Sequence, residues 1–477
     1  MNEHSPLDLG DASLPIGADQ RGAWWLETKA LARLAAPLAA TQLAQMLILA
    51  TDTFLLGHLS KDALAAAALA SNLYFMVWLV GIGPATAVTA MIAHFRGANE
   101  NDLAGVRNAV RMGCWAIILL SPLLLSVLLF TEDVLLLIGQ QQVLAEHAGV
   151  FMSALMWSLV PSLGFQVLRN FCTAVDKPIV PLIVSGVTVL CNAALGYALI
   201  FGHFGLPRLE LFGSGLGSTI AHLIGFFVLL AFCLMQPALN RYRILLRFAR
   251  PHWDHLREVF TLGMPIGLTM MFEVALFTAA AFTMGLFGAD MLAAHQIAIT
   301  VPALSFMVPM GIGMAATVRV GLAAGAGDMV GARRAGWLAM GMSGIFMLAS
   351  SVVLMLFPHE IAALWLPATD ENMAVLALAG SFLIVAALFQ IADGLQVAAA
   401  MSLRGLKDAR VPMWIAAASY WGVGFTVGLW LAFGQGMQGL GVWYGLALGL
   451  FMAAVALMWR FHALSKQPAP QIQQQEE

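Results

Sequence analysis

Charge is what this sequence has least of. Only 10% of its 477 residues are Asp, Glu, Lys or Arg, against roughly 25% in soluble proteins, while 60% are hydrophobic. With a mean hydropathy of +0.84, the chain cannot clothe itself in a solvated surface, which excludes a soluble globular protein and leaves an integral membrane protein. Cysteine is scarce too. Cys114, Cys172, Cys191 and Cys233 fall in apolar segments without CxxC spacing, so neither a disulfide framework nor a zinc site is expected. The sequence also lacks GxGD, HExxH and Walker A motifs, which argues against an intramembrane hydrolase and an ATP-driven pump; no enzyme is expected. His94, His222 and His295 are scattered and read as hydrogen-bonded core or interface residues. Residues 1–30 open polar and acidic, without the basic flank, short apolar core and cleavage site of a signal peptide.

What remains is long apolar runs. A membrane span needs about 20 apolar residues, and charges and turn residues divide the chain into twelve: 33–57, 63–93, 110–130, 146–168, 179–201, 214–235, 258–286, 291–318, 335–357, 374–402, 412–434 and 440–461. All but two of the 23 Lys and Arg residues then fall on one side, leaving Lys61 and Arg208 opposite. Positive charge marks the cytosolic face, so both termini are expected in the cytosol of a multi-pass inner (cytoplasmic) membrane protein of bacterial type. The tail QIQQQEE is expected to be disordered.

The second half repeats the first. At an offset of 228, Pro37 meets Pro265, Gly57 meets Gly285, Asp62 meets Asp290, and Leu64-Ala65-Ala66 meets Leu292-Ala293-Ala294. With small gaps, DLAGVR (102–107) meets DMVGAR (328–333), GIGPATAV (81–88) meets GIGMAATV (311–318), and Gln166-Val167 meets Gln396-Val397. Six spans per copy give the copies the same orientation, and such parallel repeats are a transporter architecture. The expected organisation is a cytosolic segment 1–29, a six-helix bundle 30–235, a basic cytosolic linker 236–257, a second six-helix bundle 258–462, and a cytosolic tail 463–477. The fold class is therefore all-α, with twelve transmembrane helices in two bundles.

Three acids interrupt these spans away from their ends: Asp52 in span 1, Glu273 in span 7 and Asp393 in span 10. No Lys or Arg falls comparably deep in the apolar runs, so ion pairs with an embedded base are not expected. A charged Asp at mid-membrane costs about 2.5–3.5 kcal/mol on insertion scales; each acid should be protonated, bound to a cation, or facing a water-filled cavity. The repeat has no acid at the matching places, where Glu273 meets Gln45, Asp52 meets Ala280 and Asp393 meets Leu163. The fold forms without those acids, which points to function. At about 1.5 Å per helical residue, Glu273 and Asp393 differ in height by roughly 6 Å, within reach of two flexible side chains. Asp52 belongs nearer the opposite surface and serves the other bundle. Phe389, Gln390 and Gln396 share a helix face with Asp393, and Met270 and Phe277 flank Glu273; these five are the candidate walls of a substrate cavity. For Gln390 and Gln396 the alternative is interhelical hydrogen bonding.

The combination of ATDTFLLGHL (50–59), MMFEVALF (270–277), AAHQIA (293–298), PMGIGMAATVRVG (309–321) and ADGLQVAAAMSLRGLKDARVP (392–412) resembles the multidrug and toxic compound extrusion (MATE) transporters, NorM-like branch, over residues 30–462. The resemblance implies a twelve-helix antiporter that expels cationic organic compounds while protons or sodium ions run inward. It implies that Glu273 and Asp393 bind the coupling cation, that Asp52 serves the N-terminal bundle, and that Pro37 bends its helix. Sodium at Glu273 and Asp393 would be the one metal. The sodium site of this branch has a tyrosine four residues before the span 10 aspartate, where this sequence has Phe389. A hard cation prefers oxygen ligands, so the missing hydroxyl tilts the coupling ion toward the proton. In the DinF-like branch an aspartate follows a span 5 asparagine by four residues; after Asn192 that place is Gly196.

Organic cations and the lipid bilayer are the expected partners, without nucleic acid, without a cofactor beyond the coupling ion, and with the protein a monomer. The rival reading is a lipid or polyprenyl-linked precursor flippase. It calls for a basic central cavity, whereas the embedded charges are expected to be acidic.

Overall fold

The computed structural model describes residues 20–367, 369–370 and 372–467. Twelve helices in it are long and apolar enough to cross a membrane. They are α1 (Gln20–Gly57), α2 (Lys61–Ala98), α3 (Leu103–Leu129), α4 (Gln142–Ala174), α5 (Ile179–Phe201), α6 (Glu210–Met235), α7 (Trp253–Leu286), α8 (Ala289–Gly325), α9 (Met329–Leu356), α10 (Met373–Gly405), α11 (Arg410–Gly434) and α12 (Gln438–Leu464). Each expected span has its helix. Several helices overrun their apolar runs at the basic end, α4 reaching Ala174 and α8 reaching Gly325. Hydropathy stops counting at the first charge, whereas the helical hydrogen-bond ladder continues beside long cationic side chains that reach for the interface.

The same effect shifts the expected domain limits. Residues 20–29, expected in the N-terminal segment, begin α1, and α7 starts at Trp253, inside the expected linker. Residues 1–19 and the tail QIQQQEE lie outside the described residues. The rest of the linker folds back on the N-terminal bundle. Arg107 Nε donates to the Tyr242 carbonyl at 2.9 Å and Trp115 Nε1 to the Phe248 carbonyl at 2.8 Å.

The repeat is legible atom by atom. Pro37 and Pro265 each sit inside their helix and deprive it of one backbone donor. Four residues on, Thr41 and Thr269 donate to the carbonyls of Pro37 and Pro265 at 2.7 and 2.8 Å, a back-bond that bends helices. Asp102 and Asp328 accept from the backbone N–H of Gly105 and Gly331, both at 2.7 Å, and cap α3 and α9. A Cβ at Gly105 would strike the Asp102 carboxylate and the Phe95 ring, which is why the repeated motif keeps glycine there.

One apolar cluster fills each bundle. The bundles meet along α1–α8, α2–α7 and α2–α8. Leu31, Leu34, Ala35 and Leu38 of α1 pack on Ile312, Ala315 and Ala316 of α8, and α2 and α7 approach backbone to backbone at Gly83, Gly263 and Gly267. Two polar ties reinforce this seam toward the basic end. Arg319 of α8 forms a bidentate pair with Glu27 of α1, Nε to Oε1 at 2.8 Å and Nη2 to Oε2 at 2.5 Å, and His94 Nε2 of α2 donates to the Gly405 carbonyl of α10 at 2.8 Å. Replacing Glu27 by Gln strands a largely buried guanidinium and should cost about 3 kcal/mol. The check is the thermal midpoint in detergent, and Glu27→Gln with Arg319→Met should recover most of the loss.

Candidate functional site

Helix α10 runs through the C-terminal bundle buried on nearly every side, as expected of a helix apolar all round. Its Asp393 is 6% exposed. Glu273 is half-buried on α7, and Gln396, one turn after Asp393, joins the two acids. Its Nε2 faces Glu273 Oε1 at 3.2 Å and Asp393 Oδ1 at 3.4 Å. Its own oxygen is held by the Tyr420 hydroxyl, which donates at 2.8 Å. Tyr420 lies in a π-helical stretch of α11, Ala418–Phe425. Such wide turns recur at functional sites, and this one carries the phenol inward while Trp421 Nε1 donates to the Phe272 carbonyl of α7 at 3.2 Å.

The other expected walls lie elsewhere. Phe389, 1% exposed, stacks on Trp443 of α12 at 5.7 Å. Gln390, fully buried, donates to Ser350 of α9 at 3.1 Å, and Ser350 is in turn bonded to Ser305 of α8. Neither borders open space in this conformation, so for Gln390 the interhelical hydrogen bond prevails. Phe277 packs against the C-terminal cluster and Met270 against the N-terminal one, both half-buried. In the N-terminal bundle Asp52 Oδ2 accepts from Ser218 at 2.9 Å, and Ser218 accepts from Asn192 at 3.0 Å. Asp52 Oδ1 is buried without a partner. At Gly196 a Cβ would crowd Leu55.

The expectation that no base is embedded near the acids is corrected. Arg404, 6% exposed in the last turn of α10, lies close enough to Glu273 for their charges to interact. Arg169, 5% exposed, lies inside α4. Both had counted as loop charges because they follow the apolar runs; the extended helices place them within the packing. Among the described residues neither is in salt-bridge contact with a carboxylate. Tyr420 and Arg404 are the site residues that sequence reasoning missed. A tyrosine in an ordinary apolar run gives no signal of a π-turn. Arg404, however, stood in the last turn of the same helix as Asp393.

Two repeat-related helix bundles, one of them holding two carboxylates from different helices joined through Gln396, define the class as a multi-pass membrane transporter. The MatE family profile matches residues 37–198 and 265–430, one match in each half. The chain is 42% identical over 448 residues to the probable multidrug resistance protein NorM of Rhizobium meliloti, covering 94% of this chain and 96% of that one. It is 42% identical over 433 residues to the multidrug resistance protein NorM of Burkholderia vietnamiensis, covering 90% and 93%. Among solved structures, the Vibrio cholerae MATE transporter VcmN superposes with a TM-score of 0.83 at 17% identity, over 93% of this chain and 98% of that one. A MOP superfamily transporter from Pyrococcus furiosus gives 0.82 at 18%, over 94% and 100%. The protein belongs to the MatE family and is NorM-like.

Proposed function

We propose that this protein exports cationic, amphipathic organic compounds in exchange for protons or sodium ions, by alternating access between its two bundles. The observation that carries the reading is the Glu273–Gln396–Asp393 cluster. Two carboxylates from different helices are linked by one amide and are not in salt-bridge contact with any base among the described residues. An organic cation needs at least one of them ionised, and a proton or sodium ion arriving from the far side neutralises it. Competition for one negative charge couples the fluxes, and the two cargoes cannot both be held at full strength.

The donor set favours the proton. Gln396 offers the acids an N–H while its oxygen accepts from Tyr420, so the side chain between the two acids presents a donor where a hard cation prefers an oxygen ligand. Tyr420→Phe frees that amide oxygen. A proton-coupled transporter should then lose about 1 kcal/mol of stability and keep its ion preference. A gain of sodium dependence in drug transport would contradict this.

The basic end is read as cytosolic, in a bacterial inner membrane with both termini inside and the protein monomeric. The bundle seam lies toward that end, so this conformation faces outward. The lipid-flippase reading gains something from the buried Arg169, since phosphate recognition calls for an embedded base. ATP-free proteoliposomes given both a fluorescent organic cation and a labelled lipid separate the two. Gradient-driven movement of the dye alone supports export, and movement of the lipid alone would replace it.

A further inference from the structure

The connection between the bundles carries more positive charge than a tether needs. Arg241, Arg243, Arg247 and Arg250 are all exposed along it, and Arg107 and Arg111 of α3 bond to its backbone. Among the described residues none of these six is in salt-bridge contact with a carboxylate. The fold gathers them despite their repulsion. Arg111, 5% exposed, donates from Nη2 to the carbonyls of both Arg247 and Arg250, and Arg107 and Arg247 lie close enough to it for their charges to interact. Arg243 and Arg247 also hold φ at 46° and 57°, the left-handed region that glycine adopts without a steric penalty and other residues do not. Like charge and backbone strain both oppose this arrangement. An anion seated on it offsets the first.

The apolar side chains beside the arginines indicate which kind of anion. Leu245 and Leu246 are exposed between them, as is Trp253 at the start of α7. Trp115 of α3 stacks on Phe248 of the connection, and one turn further along the same face of α3 Ile118 and Leu119 are exposed. Arginine heads above an apolar, tryptophan-bearing surface mark the boundary of a bilayer, where basic clusters attract anionic lipid. A free phosphate would use the arginines only, whereas a phospholipid uses both. We propose that Arg243, Arg247 and Arg250, with Arg107 beside them and Arg111 as a positioning residue, bind the phosphodiester of an anionic phospholipid. Its acyl chains lie against Leu245, Leu246 and the outer face of α3, and the lipid holds the connection against the N-terminal bundle. The site is separate from the Glu273–Gln396–Asp393 cluster and does not depend on the export reading.

The test titrates the full chain in detergent with phosphatidylglycerol and with phosphatidylcholine of the same acyl chains, counting bound lipid by native mass spectrometry. Phosphatidylglycerol should bind at least about tenfold more tightly. Arg243→Gly with Arg247→Gly removes two charges where glycine suits the backbone. The lipid-free thermal midpoint should therefore hold or rise, while the preference falls to within twofold. Arg250→Gln leaves both left-handed turns untouched and should lower the preference about fivefold, which decides the matter if the glycine variant unfolds. Arg333→Gln with Arg334→Gln removes as much charge at the basic end of α9 and should leave the preference unchanged. A preference retained in the glycine variant, or in Arg250→Gln should that variant unfold, overturns the site, and so does an equal loss in the Arg333 and Arg334 variant. Displacement of phosphatidylglycerol by millimolar inorganic phosphate would overturn the lipid in favour of a soluble anion.

Discussion

Replacing Asp393 by Asn should abolish gradient-driven export while leaving the protein folded and inserted. Asn keeps the shape of the side chain and the contact with Gln396, so the buried packing around α10 survives. What it removes is a charge. A hydrogen bond to a charged group contributes about 1.5–3 kcal/mol, so drug affinity alone should fall roughly 10- to 100-fold. Coupling should fail more completely, because Glu273 would be left without a second acid to share the incoming cation. Glu273→Gln should show the same loss of coupling. Drug resistance unchanged at normal expression in either variant would remove that acid from the site.

Gly83→Val should have the second large effect, through the bundle seam. A Cβ at Gly83 would lie 2.7 Å from the backbone nitrogen and 2.9 Å from the Cα of Gly267, closer than real Cβ atoms come. Backbone cannot yield as a flexible side chain can, so α2 and α7 must separate. The conformation sealed at the basic end is then disfavoured relative to the one sealed at the other. Export should drop at least about tenfold, the effect of 1.4 kcal/mol on an equilibrium. A cysteine introduced at Ala326, beside the seam, should react faster with a membrane-impermeant thiol reagent applied from the basic side. Unchanged labelling with normal export would show that this approach does not govern closure.

Much of this fold was written plainly in the sequence. Apolar run length set the number of helices, and Pro37 with Pro265 and Asp102 with Asp328 exposed the repeat because prolines and caps have narrow structural meanings. Helical rise set Glu273 and Asp393 at similar heights, and both carboxylates face the Gln396 amide. The rest was hidden for physical reasons. Tyr420 reaches the site through a π-turn, which shifts side chains off the regular helical face. Helix-face reasoning put Phe389 and Gln390 beside Asp393, but α10 is surrounded, so each neighbouring face meets a different helix and these two turn to Trp443 and Ser350. Arg169 and Arg404 looked like loop charges because hydropathy ends a span at the first charge, while the helix goes on.

In the proposed mechanism, drug and coupling ion compete for Glu273 and Asp393. The most direct test is uptake of a fluorescent organic cation into ATP-free proteoliposomes under an imposed pH gradient at constant sodium, followed by a sodium gradient at constant pH, with Asp393→Asn in parallel. Dye should accumulate against its own gradient when protons run in the opposite direction, with none driven by the sodium gradient and none in either case for Asp393→Asn. Accumulation driven by sodium alone would exchange the coupling ion and keep the site. Equal accumulation by the unsubstituted protein and Asp393→Asn would show that drug and ion do not compete at Asp393.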